Sequence, residues 1–433
     1  MENTPIPRLL LKLCPPVMAA LLIQSVYNIV DSYFVARDSA AGLTALSIIF
    51  PIQLLMTALA TGTGMGANIL LSRMAGAGET KNQRDTVTNG IALGVVNYLV
   101  FAGAALLLVK EFYQLSSGQR AVQALGVQYA QIIFAGGLGM FLEANCSKML
   151  QARGDMITPM AAQIAGAAIN LVMDPILIFG LLGAPRLGVA GAALATVAGQ
   201  WVSMLIVLLA VRRAYPQKGA LRPKLCLKIY QNGLAPILMQ ALYTLYIVGL
   251  NLILKQFTED AVTVLGIYYK LQTFFFIPLM GLQQVMLPII SFHDGAGQQK
   301  RVRDTLNCAV VIACAVMLAA TLVFWAAPGA LLSLFSAGTS ILQIGTYALR
   351  VIAVSFLPAG LGMMFTVYFQ GVNRGGASIL ITVLRQIVLL VPLAWLLHFR
   401  GLNAVWYTFP VTELIALAAC LRLYAAKPGR RIR

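Results

Sequence analysis

Four carboxylates lie within long apolar stretches of this 433-residue chain: Asp31, Glu143, Asp174 and Glu413. A charged side chain at the centre of a membrane is costly, so an acidic residue there is a functional hypothesis by default. Two of the four, Asp31 and Asp174, have amide side chains nearby on the same helical face. This pattern predicts a site that binds a cation or a proton inside a membrane.

The polar residues around these two carboxylates follow helical spacing. Gln24, Asn28 and Asp31 are four and three residues apart, which places them on one face of a helix. Asn170 and Asp174 are four residues apart and share a face in the same way. Each carboxylate therefore has an amide about one helical turn away.

Thr196 adds a hydroxyl at a similar depth. At about 1.5 Å per residue along each helix, Asp31, Asp174 and Thr196 fall in the outer half of the membrane, near a common level. Na⁺ favours such hard oxygen ligands, whereas two close carboxylates in a low dielectric cannot both ionise cheaply and could share a proton. The predicted ion-coupling site, for H⁺ or Na⁺, consists of Asp31, Asp174, Asn170, Thr196 and Asn28. Any Na⁺ would lie at the first four, and we expect no other metal and no cofactor.

Pro175 directly follows Asp174. Proline cannot donate to the carbonyl of Leu171, so the sequence predicts a kink at this point. Protonation of a neighbouring carboxylate could bias such a kink. The alternative is a fixed polar network that only holds the helices together.

The elements that must position these residues are membrane helices. The chain is 59% hydrophobic and 10% charged, with a mean hydropathy of +0.82, whereas a soluble protein has about 25% charged residues. A helical span needs about 20 apolar residues. The sequence predicts twelve spans, at residues 9–35, 43–72, 87–109, 124–150, 157–182, 188–211, 229–254, 261–291, 306–327, 340–370, 377–398 and 402–424.

The net charge of +17 reflects the loops of this topology and not a nucleic-acid-binding surface. With twelve spans both termini face the same side, and most of the 31 lysines and arginines fall in the loops on that side. By the positive-inside rule, both termini are predicted to be cytoplasmic.

The chain repeats itself at an offset of 219 residues. The motifs Gly76-Ala77-Gly78 and Arg84-Asp85-Thr86 recur as Gly295-Ala296-Gly297 and Arg303-Asp304-Thr305. Six spans per repeat preserve the topology, so the halves are parallel repeats. The predicted fold is an all-α integral membrane protein with twelve transmembrane helices in two six-helix lobes. Its parts are an N-terminal lobe at 1–213, a cytoplasmic linker at 214–228 and a C-terminal lobe at 229–433.

Other polar and aromatic residues have two open interpretations. Glu143 could form an intracellular gate or contact substrate, or it could form a structural ion pair near Lys148. Lys270 could line a cavity or extend to an interface. Arg385 and Gln386 are interpreted as an internal hydrogen-bond anchor, with a substrate contact as the alternative. The predicted substrate cavity consists of Tyr27, Met140, Glu143, Tyr243, Tyr246 and Lys270, although ordinary packing is an equal alternative for its aromatic residues and Met140.

Glycines recur in the second span without the context of a nucleotide-binding loop. Gly62, Gly64 and Gly66 form a GxGxG pattern, but no strand precedes them. The pattern is more typical of close packing between membrane helices.

Several stretches resemble the multidrug and toxic compound extrusion (MATE) family, in its DinF-like branch and MepA-like group. The similar stretches are Tyr27–Asp31, Gly64–Asn68 with Ser72-Arg73 and Gly76–Gly78, Asn170–Gly180, and Gly188–Ala193. The resemblance spans about residues 8–424. It implies two six-helix lobes that export cationic or amphipathic compounds in exchange for H⁺ or Na⁺. It also implies a coupling site in the N-terminal lobe, at Asp31, Asn170, Asp174 and Thr196.

The resemblance implies a bacterial cytoplasmic membrane protein that takes small cationic or amphipathic substrates, and we expect it to act as a monomer. An alternative is a flippase for a lipid-linked oligosaccharide or cell-wall precursor. The anionic headgroup of such a lipid would need a strongly cationic cavity. The carboxylates of the N-terminal lobe fit that need poorly, although Lys270, Arg350 and Arg385 could supply positive charge. No catalytic motif or ATP-binding loop occurs in the sequence, so we expect an ion-driven transporter and not an enzyme.

Overall fold

The computed structural model describes residues 4–217, 219–335 and 338–426. These ranges contain helices, turns and irregular segments, and no β-strand occurs within them. Five basic residues that contribute to the predicted orientation lie outside the described residues: Lys218, Lys427, Arg430, Arg431 and Arg433.

The helices of the two halves follow one another in a similar order. The first half forms α1 (Ile6–Asp38), α2 (Ala40–Gly76), α3 (Thr80–Ser116), α4 (Arg120–Gly136), α5 (Leu138–Ala152), α6 (Ile157–Phe179) and α7 (Val189–Ala214), with a 3₁₀ turn at Leu181–Gly183. The second half forms α8 (Pro223–Leu254), α9 (Glu259–Gly295), α10 (Gln299–Ala326), α11 (Pro328–Ser333), α12 (Thr339–Ala353), α13 (Phe356–Gly371), α14 (Gly375–Val383), α15 (Val391–His398), α16 (Leu402–Val405) and α17 (Thr408–Ala425). A π-helical segment, Leu384–Leu390, joins α14 to α15.

The predicted all-α membrane fold is confirmed. Among the described residues, ten helical segments are long and apolar enough to cross a membrane, and two bent pairs bring the number to twelve if each pair is one span. The pairs are α4 with α5 and α12 with α13, and each is bent by 46°. The predicted fourth and tenth spans are therefore bent and not straight.

The helix positions confirm the internal repeat. Helices α9, α10, α12 and α17 begin 219 residues after α2, α3, α4 and α7, respectively. The repeated glycine motif has a conformational reason, because Gly78 and Gly297 have φ angles of 75° and 72°. Glycine adopts this left-handed conformation without the penalty that a Cβ would bring.

The chain divides into two compact units. The N-terminal unit comprises Pro15–Ile237 and Gly295–Gly297. The C-terminal unit comprises Leu238–Asp294, the described residues from Gln298 onward and those before Pro15. Helices α1 and α8, which open the two halves, therefore each contribute residues to both units. The lobe boundaries predicted at residues 213 and 228 stay a prediction.

The N-terminal unit has an aromatic core and close helix contacts. Tyr113, Phe134 and Phe141 are buried in this core. A Cβ on Gly62 or Gly66 of α2 would overlap α8, at Ile237 or at the carbonyl oxygen of Ile229. The close-packing interpretation of the GxGxG pattern is therefore confirmed.

The segment between α7 and α8 is tied to α3 by hydrogen bonds. The Asp85 carboxylate accepts from the Ala220 N–H at 2.8 Å and lies 3.0 Å from Arg222 Nε. Asn89 Oδ1 accepts from the Arg222 N–H at 2.8 Å. The repeated counterpart of Asp85, Asp304, lines a surface groove with Pro5–Pro7. The first copy of the Arg-Asp-Thr motif thus lies beside the segment that leads into α8, and the second copy lies beside the segment that leads into α1.

The C-terminal unit has its own aromatic core. The rings of Phe275 and Phe324 lie 5.2 Å apart, and those of Phe324 and Phe356 lie 4.8 Å apart, both edge to face. Trp406 is fully buried in this unit. Aromatic rings of this kind contribute large buried areas, so these contacts hold α9, α10 and α13 together.

Candidate functional site

Four predicted ion-coupling residues come together in the N-terminal unit. The Asn170 amide nitrogen lies 3.4 Å from Asp174 Oδ1 and 3.3 Å from Thr196 Oγ1. With its amide reversed, Asn170 would donate to Asp174 Oδ2 at 3.3 Å and accept from the Thr196 N–H at 3.2 Å. In either orientation Asn170 bridges Asp174 of α6 and Thr196 of α7. Asp31 of α1 is the fourth member, because its carboxyl group is within hydrogen-bonding reach of Asp174.

A close crossing of α6 and α7 makes this bridge possible. A Cβ on Gly166 would lie 2.7 Å from the carbonyl oxygen of Gly199, and one on Gly199 would lie 2.5 Å from that of Gly166. Only glycine allows two helix backbones to approach so closely. Asn170 is one turn beyond Gly166, and Thr196 is one turn before Gly199, so their side chains meet.

The chemistry of the cluster depends on its two carboxyl groups. Asp174 and Asn170 are buried, and Asp31 is half-buried with an oxygen, Oδ1, that has no hydrogen-bond partner in the described part of the chain. Two carboxyl groups can hydrogen-bond to each other only when one of them holds a proton. Without that proton, a cation must balance their charges. The arrangement can therefore exchange one positive charge, a proton or a small cation, in a buried site.

Two residues beside the cluster were not identified as site residues from the sequence. Tyr129 of α4 is buried, lies within electrostatic range of Asp31, and its hydroxyl is 3.4 Å from the Gln53 amide of α2. The only sequence signal at Gln53 is that it matches Gln272 at the repeat offset of 219 residues. Tyr27, predicted for the substrate cavity, lies within electrostatic range of Asp31, Asp174 and Glu143.

The structure does not bring Asn28 into the cluster. Its side chain is exposed and makes no hydrogen bond within the described residues, and Gln24 is exposed as well. Helical spacing places both residues on the same face of α1 as Asp31. A helical face is wide, so Asp31 can contact α6 at one edge of the face while Asn28 and Gln24 stay exposed at the other. The role of Asn28 stays a prediction.

The other predicted cavity residues of the N-terminal unit have different surroundings. The Glu143 carboxylate accepts a hydrogen bond from Ser147 Oγ at 2.7 Å and contacts Gln163 of α6. Lys148 donates to Gln151 Oε1 at 3.0 Å. Met140 is half-buried and packs against the aromatic core. These contacts leave both interpretations of Glu143 open.

Two predicted cavity residues of the C-terminal unit belong to a tyrosine cluster, which we define as Tyr243, Tyr246 and Tyr269. Their ring centroids lie 5.2, 6.2 and 6.3 Å apart. Lys270 is exposed, and its Nζ lies 5.7 Å from the ring centroid of Phe335, beyond α11. The structure thus places Lys270 over a ring other than those of the cluster.

No group of three or more His, Cys, Asp or Glu side chains that could hold a metal ion occurs among the described residues. The cluster around Asp31 and Asp174 differs from such a group, because its other two polar groups are the Asn170 amide and the Thr196 hydroxyl. It therefore suits a proton or a weakly held monovalent cation better than a transition metal.

Comparison with known proteins identifies the architecture. The family model described as MatE matches the chain twice, at residues 16–176 and 236–396. The two matches cover the two halves, in agreement with the repeat.

Two similar proteins cover almost the whole chain. The FAD transporter of Shewanella oneidensis is 25% identical, over 97% of this chain and 95% of its own length. The multidrug export protein MepA of Staphylococcus aureus is 24% identical, over 98% of this chain and 94% of its own length.

Solved structures share the fold. A MOP superfamily transporter from Pyrococcus furiosus aligns with a TM-score of 0.90 at 22% identity, covering 99% of this chain and 98% of that one. A MATE transporter of Vibrio cholerae aligns with a TM-score of 0.91 at 21% identity, covering 97% and 96%. The resemblance to the MATE family noted in the sequence is confirmed.

Proposed function

The chain belongs to the MatE family of multi-pass membrane transporters, and from this premise we propose that it is a secondary active multidrug exporter. It exchanges H⁺ or Na⁺ for organic cationic or amphipathic compounds by alternating access. The buried cluster of Asp31, Asp174, Asn170 and Thr196 carries the proposal. Such a cluster gives the membrane interior a place to hold one exchangeable positive charge, which an ion-driven transporter requires.

The cluster would couple the ion to a conformational change through its contacts between helices. With a proton or Na⁺ bound, Asp31 of α1 and Asp174 of α6 attract each other. Without it, two negative charges face each other in a low dielectric and repel. Loss of the ion therefore favours a state in which α1 separates from α6. A substrate cation that binds more tightly to that state would be exchanged for the ion.

The remaining features of the proposal concern the membrane and the cavity. We place the protein in the bacterial cytoplasmic membrane with both termini in the cytoplasm, because the basic loops favour that orientation. We propose that Tyr27, Met140 and Glu143 of the N-terminal unit contact substrate, and that Tyr243, Tyr246 and Lys270 of the C-terminal unit do so as well. The flippase alternative is not favoured, since the similar proteins are named as multidrug and FAD transporters.

Transport in proteoliposomes tests the proposal. Export of a fluorescent organic cation would be measured under an imposed pH gradient or Na⁺ gradient for wild type, Asp31→Asn and Asp174→Asn. We expect one gradient to drive export by the wild type and both variants to lose it. Asp38→Asn is a matched control on α1, because Asp38 pairs with the largely exposed Arg186 at 2.8 Å and lies outside the cluster.

Two outcomes would contradict the proposal at different points. Export that survives both substitutions would keep the transporter but remove the coupling site. Absence of gradient-driven cation export by folded wild-type protein would reject drug antiport for that cation. FAD would then be the next substrate assayed, because a similar protein is named as an FAD transporter.

A further inference from the structure

An ion pair between a buried carboxylate and a half-buried guanidinium lies in the C-terminal unit, away from the predicted coupling residues in sequence. Arg385 Nε donates to Glu413 Oε1 at 2.6 Å, which joins the π-helical segment to α17. The Glu413 side chain is 8% exposed and that of Arg385 is 27% exposed. A charged pair at this depth is costly to desolvate and contributes little net stability, so its presence calls for another explanation.

Two tyrosines lie near this pair. Tyr246 of the tyrosine cluster and its neighbour Tyr268 are both within electrostatic range of Arg385 and Glu413, and the rings of Tyr243 and Tyr269 contact that of Tyr246. The ring of Tyr268 also packs edge to face on Phe409, one turn before Glu413, at 5.4 Å. Tyr243, Tyr246 and Tyr269 are each only half-buried. A carboxylate beside partly open aromatic rings is the combination that recognises organic cations.

The Arg385 guanidinium has a second possible hydrogen-bond acceptor. It lines a small cavity of about 20 Å³ together with Gln283, Thr366, Thr382 and Gln386. Gln386 is buried, and its Oε1 has no hydrogen-bond partner within the described residues. A buried acceptor of this kind needs a partner, and a water molecule in the cavity would supply one in the resting arrangement. Arg385 could supply that partner by turning away from Glu413.

The backbone at Arg385 suits such a movement. Residues Leu384–Leu390 form a π-helix between two α-helices, α14 and α15. π-Helical turns are rare and occur frequently at functional sites. Arg385 and Gln386 both lie on this segment.

We propose that Glu413 and the tyrosine cluster form an organic-cation site in the C-terminal unit, and that Arg385 is an internal cation that occupies Glu413 until a substrate displaces it. The displaced guanidinium then turns to Gln386 Oε1 at the edge of the small cavity and replaces the water there. The ligand class, a lipophilic organic cation, rests on the proposed function. The site itself rests on the ion pair, the rings and the unpaired acceptor.

The two partners of the pair then have opposite effects on binding. Binding of tetraphenylphosphonium, a permanently charged aromatic cation, would be measured by equilibrium titration of purified protein in lipid nanodiscs without any ion gradient. Glu413→Gln should weaken binding about tenfold or more, because the carboxylate is lost. Arg385→Gln should tighten binding, because the internal competitor is removed. Glu259→Gln, at an exposed carboxylate near the start of α9, is the matched control and should leave binding unchanged.

The tyrosine rings provide an independent measurement. Tyr246→Phe keeps the aromatic face and should retain binding, whereas Tyr246→Leu should weaken it several-fold. If Arg385→Gln does not fold, the Arg385→Gln/Glu413→Gln double variant removes both charges together and avoids an unpaired buried carboxylate. It should then bind as weakly as Glu413→Gln.

Specific results would overturn the inference. Equal weakening by Arg385→Gln and Glu413→Gln, with equal losses of thermal stability, would show a purely structural ion pair. Unchanged binding in Glu413→Gln, or in Tyr246→Leu, would remove the site. Because this assay uses no gradient, it remains decisive even if Asp31 and Asp174 fail the transport test above.

Discussion

Asn170 is the residue on which the geometry of the N-terminal cluster depends, because its amide joins Asp174 to Thr196. The other asparagine predicted for this site has different surroundings. Asn28 was predicted for the same site by the same helical spacing, yet its side chain is exposed and without a hydrogen bond in the described part of the chain. Two asparagines with the same predicted role therefore provide a test and its control.

Asn170→Ala should destabilise the protein by about 1–3 kcal/mol, because it leaves the buried Asp174 carboxyl without its amide partner. Asn28→Ala should change stability by no more than about 0.5 kcal/mol, as is usual for a surface position. Thermal unfolding in detergent would compare the two variants, and ion-driven export would be measured in parallel. A loss of export in Asn28→Ala with normal stability would restore Asn28 to the coupling site.

How far the site could be predicted also differs from residue to residue. The sequence alone predicts four residues of the cluster, because polar groups within a membrane are rare and the helical rise fixes their depth: Asp31, Asn170, Asp174 and Thr196. Tyr129 could not be predicted in this way. A tyrosine in an apolar helix is common, and only packing against α2 brings it near Asp31.

Helices α6 and α7 hold the cluster through a contact between backbones and not through large side chains. Gly199→Ala would place a methyl group 2.5 Å from the carbonyl oxygen of Gly166, so the helices must separate. We expect a loss of about 1–3 kcal/mol from overpacking and a weaker bridge between Asn170 and Thr196. Gly103→Ala on α3 is the control, because nothing lies within 4 Å of its Cβ position.

Thermal unfolding and ion-driven export would be measured for both glycine variants. Gly103→Ala should be neutral or slightly stabilising, since alanine is the better helix former. Equal stability and equal export in the two variants would mean that the α6–α7 crossing tolerates separation. The close approach would then not be needed to form the site.

The connection between α7 and α8 shows how a repeated motif can be structural. Asp85→Asn should cost about 1–3 kcal/mol, because Asp85 is buried and its carboxylate binds the Ala220 N–H beside Arg222. The equivalent change at the exposed Asp304 should cost less. Limited proteolysis between α7 and α8 would detect release of the segment in Asp85→Asn. Equal resistance of wild type and Asp85→Asn would argue against this anchoring role.

The elements themselves were predictable to different degrees. Apolar length gave the spans, and the repeated glycine at Gly78 and Gly297 marked the turn after α2 and after α9. The bend between α12 and α13 has a local signal, because Pro358 cannot donate to the carbonyl of Val354. The apolar length of the segment alone did not reveal it. The π-helical segment also has a nearby signal, because Pro392 has no N–H to donate to the carbonyl of Val388, but that signal does not by itself specify a π-helix.

The two halves of the molecule share helix positions but not chemistry. The N-terminal unit holds two carboxyl groups that require an added positive charge, whereas the C-terminal unit holds a carboxylate already paired with Arg385. A parallel repeat provides two frameworks, and each can acquire its own charged residues. This asymmetry suggests a division of tasks, with ion coupling in one unit and cation recognition in the other.

That division predicts separable defects. In the Asp31→Asn/Asp174→Asn double variant, tetraphenylphosphonium should still bind, but its affinity should no longer respond to pH or Na⁺, because the exchangeable charge is gone. In Glu413→Gln, affinity should fall about tenfold while the response to pH or Na⁺ persists. Titrations at several pH values and Na⁺ concentrations would measure both effects. Loss of the ion response in Glu413→Gln, or loss of all binding in the double variant, would mean that ion and substrate share one site. Direct competition between ion and substrate for one site needs no conformational linkage. Two separate sites, in contrast, must be coupled through conformational states that differ in their affinity for the ion and for the substrate.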